Sequence, residues 1–142
     1  MRMTKMAIVA IGMAALFVAP GLLATQAKAD STVTYVAMPP ISKRTDFYGG
    51  AVIPVKFMLL DGNGQPISDA QATIWVNGAP GTSAGHANMG NTFRFDMKSM
   101  TYIYNLNTKP LPAGPGSPPS TITVMVVSGT TTLTENFVVT LD

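Results

Sequence analysis

The stretch Thr121-Ile122-Thr123-Val124-Met125-Val126-Val127-Ser128-Gly129-Thr130-Thr131-Thr132-Leu133-Thr134-Glu135-Asn136-Phe137-Val138-Val139-Thr140-Leu141 decides the fold. Ile122, Val124 and Val126 recur at every second position, and β-branched residues fill most of the rest. That is the pattern of a pleated, half-buried strand. Ser128-Gly129-Thr130 interrupts it once, as a turn. The reading is two strands, Thr121 to Val127 and Thr131 to Leu141. Two strands alone do not make a stable core, so more must lie upstream.

They do. Thr32 to Ala37 is one run, closed by Pro39-Pro40. Ala51 to Leu60 is another, with Val55, Phe57 and Leu59 on one face and Lys56 and Met58 on the other. Pro54 within it marks an edge position or a bulge. Asp61-Gly62-Asn63-Gly64 is the strongest turn signal in the chain. Beyond it, Ala70, Ala72, Ile74 and Val76 point one way and Gln71, Thr73, Trp75 and Asn77 the other. Thr92 to Asp96 carries Phe93 and Phe95 on one face, and Met100 to Leu106 alternates Tyr102 and Tyr104 with Ile103. Gly78 to Asn91, rich in Gly, Ala and Asn, reads as a long loop, and Lys109 to Ser120, with five prolines, as a second. No helical period appears after Ala29. About seven strands in all predict an all-β, immunoglobulin-like β-sandwich. Its expected core is Val55, Phe57, Leu59, Ile74, Val76, Phe93, Phe95, Tyr104, Ile122, Val124, Val126, Phe137 and Val139.

The first 29 residues read differently. Arg2 and Lys5 precede an uncharged run from Met6 to Ala19, Pro20-Gly21 breaks it, and Ala27-Lys28-Ala29 is a small-x-small cleavage pattern. The run is short of the ~20 residues that span a bilayer. The expectation is a signal peptide over 1–29, cleaved before Asp30, then a single domain over 30–142 in a secreted, periplasmic or cell-surface protein. The membrane is then met only in transit. The leader holds three of the nine cations and no acid, so the remaining chain keeps six cations against seven acids. The basic character belongs largely to the leader, and no basic patch is left to suggest nucleic acid. There is no cysteine, so the domain must hold by its core alone.

Four motifs in order carry a family resemblance: Ile53-Pro54-Val55-Lys56-Phe57, then Asn91-Thr92-Phe93-Arg94-Phe95-Asp96, then Tyr102-Ile103-Tyr104-Asn105-Leu106-Asn107-Thr108-Lys109, then Ser128-Gly129-Thr130 with Asn136-Phe137. From about Gly49 to Leu141 the chain resembles the PxKF family of extracellular immunoglobulin-like domains. Pro110-Leu111 stands where that family has Gly-Leu, and the cysteine that often precedes the penultimate strand is missing. The resemblance implies an immunoglobulin-like surface module without catalytic activity, and it assigns no binding residues.

The remaining motifs weigh toward structure. Gly81-Thr82-Ser83-Ala84-Gly85 has the spacing of a hydrolase elbow but lacks the strand, helix and large sheet that an elbow needs. The only histidine, His86, would have to reach back to Ser83 across its own loop. Asp61, Asn63, Gln65 and Asp69 have a calcium-loop spacing, yet Pro66 and Ala72 occupy the positions that require glycine and glutamate. His86, Met89, Met97 and Met100 offer soft ligands suited to Cu(I), against methionine's ordinary use as a filler. Trp75, on the face opposite Ile74 and Val76, with Tyr48 or Tyr102 beside it, could stack on a sugar ring or anchor a protein. Lys56, Arg94 and Lys98 read as solvated charges. No catalytic pair or triad assembles and no cofactor is implied. The expected function is a non-catalytic interaction or structural module whose partner is a protein or a cell-surface polymer. The alternative is a small ligand-binding protein, for copper or for carbohydrate through Trp75.

Overall fold

A computed structural model describes residues 32–142. The signal-peptide reading of 1–29 lies outside the described residues. Nine strands form two sheets: β1 (Thr34–Ala37), β2 (Asp46–Phe47), β3 (Val52–Leu60), β4 (Gln71–Val76), β5 (Ala79–Pro80), β6 (Arg94–Asp96), β7 (Thr101–Asn107), β8 (Ser120–Ser128) and β9 (Thr131–Leu141). The seven expected strands are all present. The two additions, β2 and β5, have two residues each, too few to carry a period.

One sheet has the order β1-β3-β7-β6 and the other β2-β9-β8-β4-β5. They lie face to face, with alternate residues of each strand between them. From β3 come Ile53, Val55, Phe57 and Leu59, and from β8 Ile122, Val124 and Val126, all essentially solvent-free. An aromatic cluster runs across the inner face of the first sheet and reaches the second where the Tyr35 and Phe137 rings lie 6.4 Å apart. Phe57 stacks on Tyr35 at 4.5 Å and on Tyr102 at 4.9 Å, and meets Phe93 edge-on at 5.1 Å. Of the expected core, Phe95 and Phe137 are only partly buried and pack on its margin.

Pro54 shows how finely the ladder is respected. Its partner Asn105 turns its N–H and C=O away from β3, to Asn88 Oδ1 and the Ala84 amide. The pair is therefore not hydrogen-bonded, and the proline nitrogen faces the β1 side. There β1 pairs only from Phe57 onward, so no donor is missed. Asp61 to Gly64 closes a turn at the end of β3, with Asp61 Oδ1 accepting from the Asn63 and Gln65 amides. It is not a hairpin between β3 and β4, which belong to different sheets. The expected strand Thr92 to Asp96 also divides. Phe93 N–H donates to Ala72 O of β4, and the chain then crosses to pair β6 with β7.

Candidate functional site

β9 is the longest strand, and β2 borders only its end. Val124 faces Glu135 and Ile122 faces Phe137, so Leu133, Glu135, Phe137, Val139 and Leu141 point inward. The direction of its backbone groups follows from its neighbours. The Thr121 N–H donates to Asn77 Oδ1 and its C=O accepts from Asn77 N–H, so Thr121 faces β4. By alternation the even residues of β8 face β9, and their partners are the odd residues of β9. The even residues of β9 therefore aim N–H and C=O away from the sheet. Thr140 N–H accordingly donates to Thr45 O, and Asp142 N–H to Phe47 O. β2 reaches only Thr140 and Leu141. Thr132, Thr134, Asn136 and Val138 are left with outward backbone groups that no described strand pairs.

The inner side of this edge is a shallow seam between the sheets. Leu133 and Phe137 of β9, and Val33 and Tyr35 at the β1 edge, are all partly buried against the core, and the Tyr35 and Phe137 rings lie 6.4 Å apart. The Tyr35 hydroxyl is buried and has no hydrogen-bond partner among the described residues. Burial, and after it the nearby charge of Glu135, pushes its ionisation far above the usual tyrosine range. Glu135 is half-buried, the sole charge on β9, and forms no ion pair within the described residues.

The outer face of the same sheet presents Gln71, Thr73 and Trp75 from β4, Thr121, Thr123, Met125 and Val127 from β8, and Thr132, Thr134, Asn136 and Val138 from β9. None is charged. Met125, Val127 and Val138 are exposed. Trp75 is half-buried, and its Nε1–H donates to Thr73 Oγ1 at 3.1 Å.

The aromatic group expected around Trp75 does not assemble. Tyr102 is 1 % exposed and belongs to the other sheet. Its Oη accepts from the Ala70 amide at 3.1 Å and donates to Ile67 O at 2.7 Å. It is a core and pinning residue, because its parity is that of Tyr104 and Leu106, which face inward with it. Tyr48 is 79 % exposed, but it follows β2 at the far end of β9. Three strand spacings and six residues along the sheet separate it from Trp75, on the order of 25 Å.

His86 and Met89 do meet, lining a cleft of about 250 Å³ with Phe93 and Arg94. Met97 and Met100 lie outside it, in the turn between β6 and β7. Arg94, a cation, lines the same cleft. Ser83 is occupied within its own loop, its Oγ accepting from the Asn88 amide at 3.0 Å. That loop is pinned to the edge of β7. Thr82 O accepts from Asn107 N–H, Ala84 N–H donates to Asn105 O, and Asn88 Nδ2 donates to Ile103 O at 2.9 Å while its Oδ1 accepts from Asn105 N–H at 3.0 Å. A second cleft, of about 320 Å³, runs between Val76, Pro80 and Leu106 and the proline-rich segment at Pro110 to Pro112. It gathers no titratable group.

The missed feature is the bare β9 edge, and only pairing order could reveal it. No protein-family model, curated protein or solved structure matches the chain.

Proposed function

We propose that this chain is an exported, non-catalytic immunoglobulin-like module that binds a partner by strand pairing along β9. The strand order supports the immunoglobulin-like reading. β1, β3, β7 and β6 follow the A-B-E-D order of that fold, and β9, β8, β4 and β5 follow G-F-C with an added edge strand. The PxKF resemblance agrees in kind: Val55 and Phe57 fill the core, Lys56 faces outward, and Pro54 sits at a locally open edge. Export rests on the leader pattern of Met1 to Ala29. Mass spectrometry of the released protein tests it, and a product that keeps Met1 would refute it.

The observation that carries the binding role is the run of outward N–H and C=O groups on Thr132, Thr134, Asn136 and Val138. Such an edge is a template for an added strand. Thr134→Pro tests it, because it deletes one outward N–H that the fold does not use. In a pull-down from extracytoplasmic extract, Thr134→Pro keeps the wild-type melting temperature and loses the bound partner. An unchanged set of partners refutes edge pairing.

The uncharged outer face around Trp75 favours a second reading, adhesion to a polysaccharide. In that case soluble oligosaccharides shift Trp75 fluorescence, and Thr134→Pro leaves the shift intact.

A further inference from the structure

We infer that the strand received by β9 comes from another protein and carries a lysine or arginine beside Glu135, with apolar residues flanking that cation on the seam side. The inference rests on the edge-pairing reading above and names the chemistry of its occupant.

A strand laid along β9 alternates its side chains as β9 does. Those facing outward fall beside Thr132, Thr134, Asn136 and Val138, where nothing is charged. Those facing inward fall beside Leu133, Glu135 and Phe137, two half-buried apolar groups around one carboxylate. Opposite charges placed across a ladder stabilise it and like charges oppose it. The added strand also deepens the burial of Glu135, and an unpaired buried carboxylate is costly. A cation at that register answers both demands. The Tyr35 hydroxyl adds a third, since it is buried without a partner close to Glu135. An ammonium reaching into the seam donates to the phenol oxygen and to the carboxylate together.

A second copy paired through its own β9 meets none of these demands. Antiparallel pairing of two β9 edges must match even residues with even residues. Centred registers then set Glu135 against Glu135, Leu133 or Phe137 of the other copy. The first opposes two carboxylates, and the others bury each carboxylate against an apolar side chain. No register brings a cation, because β9 contains none.

The probes are two capped peptides, TVTKTVT and TVTETVT, added to the isotopically labelled protein and followed by amide hydrogen exchange and chemical shift. The lysine peptide is expected to slow exchange at the amides of Thr132, Thr134, Asn136 and Val138, and to bind at least tenfold more tightly than the glutamate peptide. Glu135→Lys is expected to reverse that preference. Glu135→Gln, with an unchanged melting temperature, is expected to abolish it. Equal protection by both peptides overturns the cation assignment and leaves edge pairing standing. Protection by neither peptide overturns the inference, and if Thr134→Pro also retains the partner, edge pairing fails with it. Concentration-dependent dimerisation that protects the same four amides without peptide assigns the edge to a second copy and likewise overturns the inference.

Discussion

The two long sides of this molecule treat their sheet edges in opposite ways. On one side, the free edge of β7 is covered by the loop from Thr82 to Asn88, and β4 is bordered by β5 and by the Asn91–Phe93 segment. Gly81 lets this cover sit tight, since a Cβ there would fall 2.8 Å from Ile74 Cγ2. The Tyr104 hydroxyl lies 2.5 Å from Gly90 O and 3.1 Å from Gly81 O, tying both ends of the loop to the core. On the other side, no described strand covers the outer edge of β1 or of β9 before Thr140, and the comparable hydroxyl, Tyr35, has no partner among the described residues. The difference teaches that the chain possesses the means to close an edge and applies them to one side. A bare edge is an aggregation hazard, and here it lies beside a polar group without a partner among the described residues, which is why the proposed binding role is placed on this side.

Phe57 joins the two sides, touching Tyr35 on the open one and Tyr102 and Phe93 on the closed one. Phe57→Ala is expected to cost about 3–5 kcal/mol, a large share of the ~5–15 kcal/mol of a typical domain. Both sides should loosen together, and the yield of folded protein should largely collapse. Retention of the wild-type melting temperature would mean that the aromatic cluster does not hold the layers.

Asn88→Ala tests the closed side alone. It removes bonds to Thr92 O, Ile103 O and Asn105 N–H. At about 1 kcal/mol net for each bond, the loss should be roughly 2–3 kcal/mol. Exchange at the Asn105 and Asn107 amides should accelerate while the β9 amides are unaffected. If exchange at Asn105 is unchanged, the loop does not seal this edge.

How much of this contrast was legible in the sequence follows from its physics. Alternation in Ala51–Leu60, Gln71–Val76 and Thr121–Leu141 gives the sheets and most of the core, because burial of one face imposes period two. Ile41 and Phe47 escaped, since each stands in a segment too short for a period. Tyr102 was readable and misassigned, for its spacing from Tyr104 already put both on one face. Asn88 gave no signal, as its bonds reach residues 15 and 17 positions away. The bare edge gave none either, because which strand ends a sheet is a property of pairing order.

The two buried tyrosines on opposite sides sharpen the comparison by sign. Tyr102 uses its hydroxyl twice, so Tyr102→Phe strands the Ala70 amide and Ile67 carbonyl and should cost about 1–2 kcal/mol. Tyr35 leaves its hydroxyl unpaired, so Tyr35→Phe should raise stability by about 1 kcal/mol. Urea unfolding of both variants at pH 7 measures the pair. Two losses of equal size would show that the seam already satisfies Tyr35.

The smallest effect is alkaline. Burial, with Glu135 adding to it, raises the Tyr35 ionisation above its ordinary value of 10.0. Burial likewise raises Tyr102 and Tyr104. The folded chain thus keeps these protons after the unfolded chain has released them. Stability from this source is intact below pH 10 and falls as pH rises beyond it, toward each folded-state value. A tyrosine still protonated when folded and ordinary when unfolded loses about 0.4 kcal/mol at pH 10 and about 0.8 kcal/mol at pH 10.5. Tyr35→Phe removes one such contribution. The variant's advantage over wild type in urea should therefore widen between pH 9 and 10.5 by that amount. An advantage that stays constant across this range would mean that the Tyr35 hydroxyl reaches water, and that the open side is open to its core.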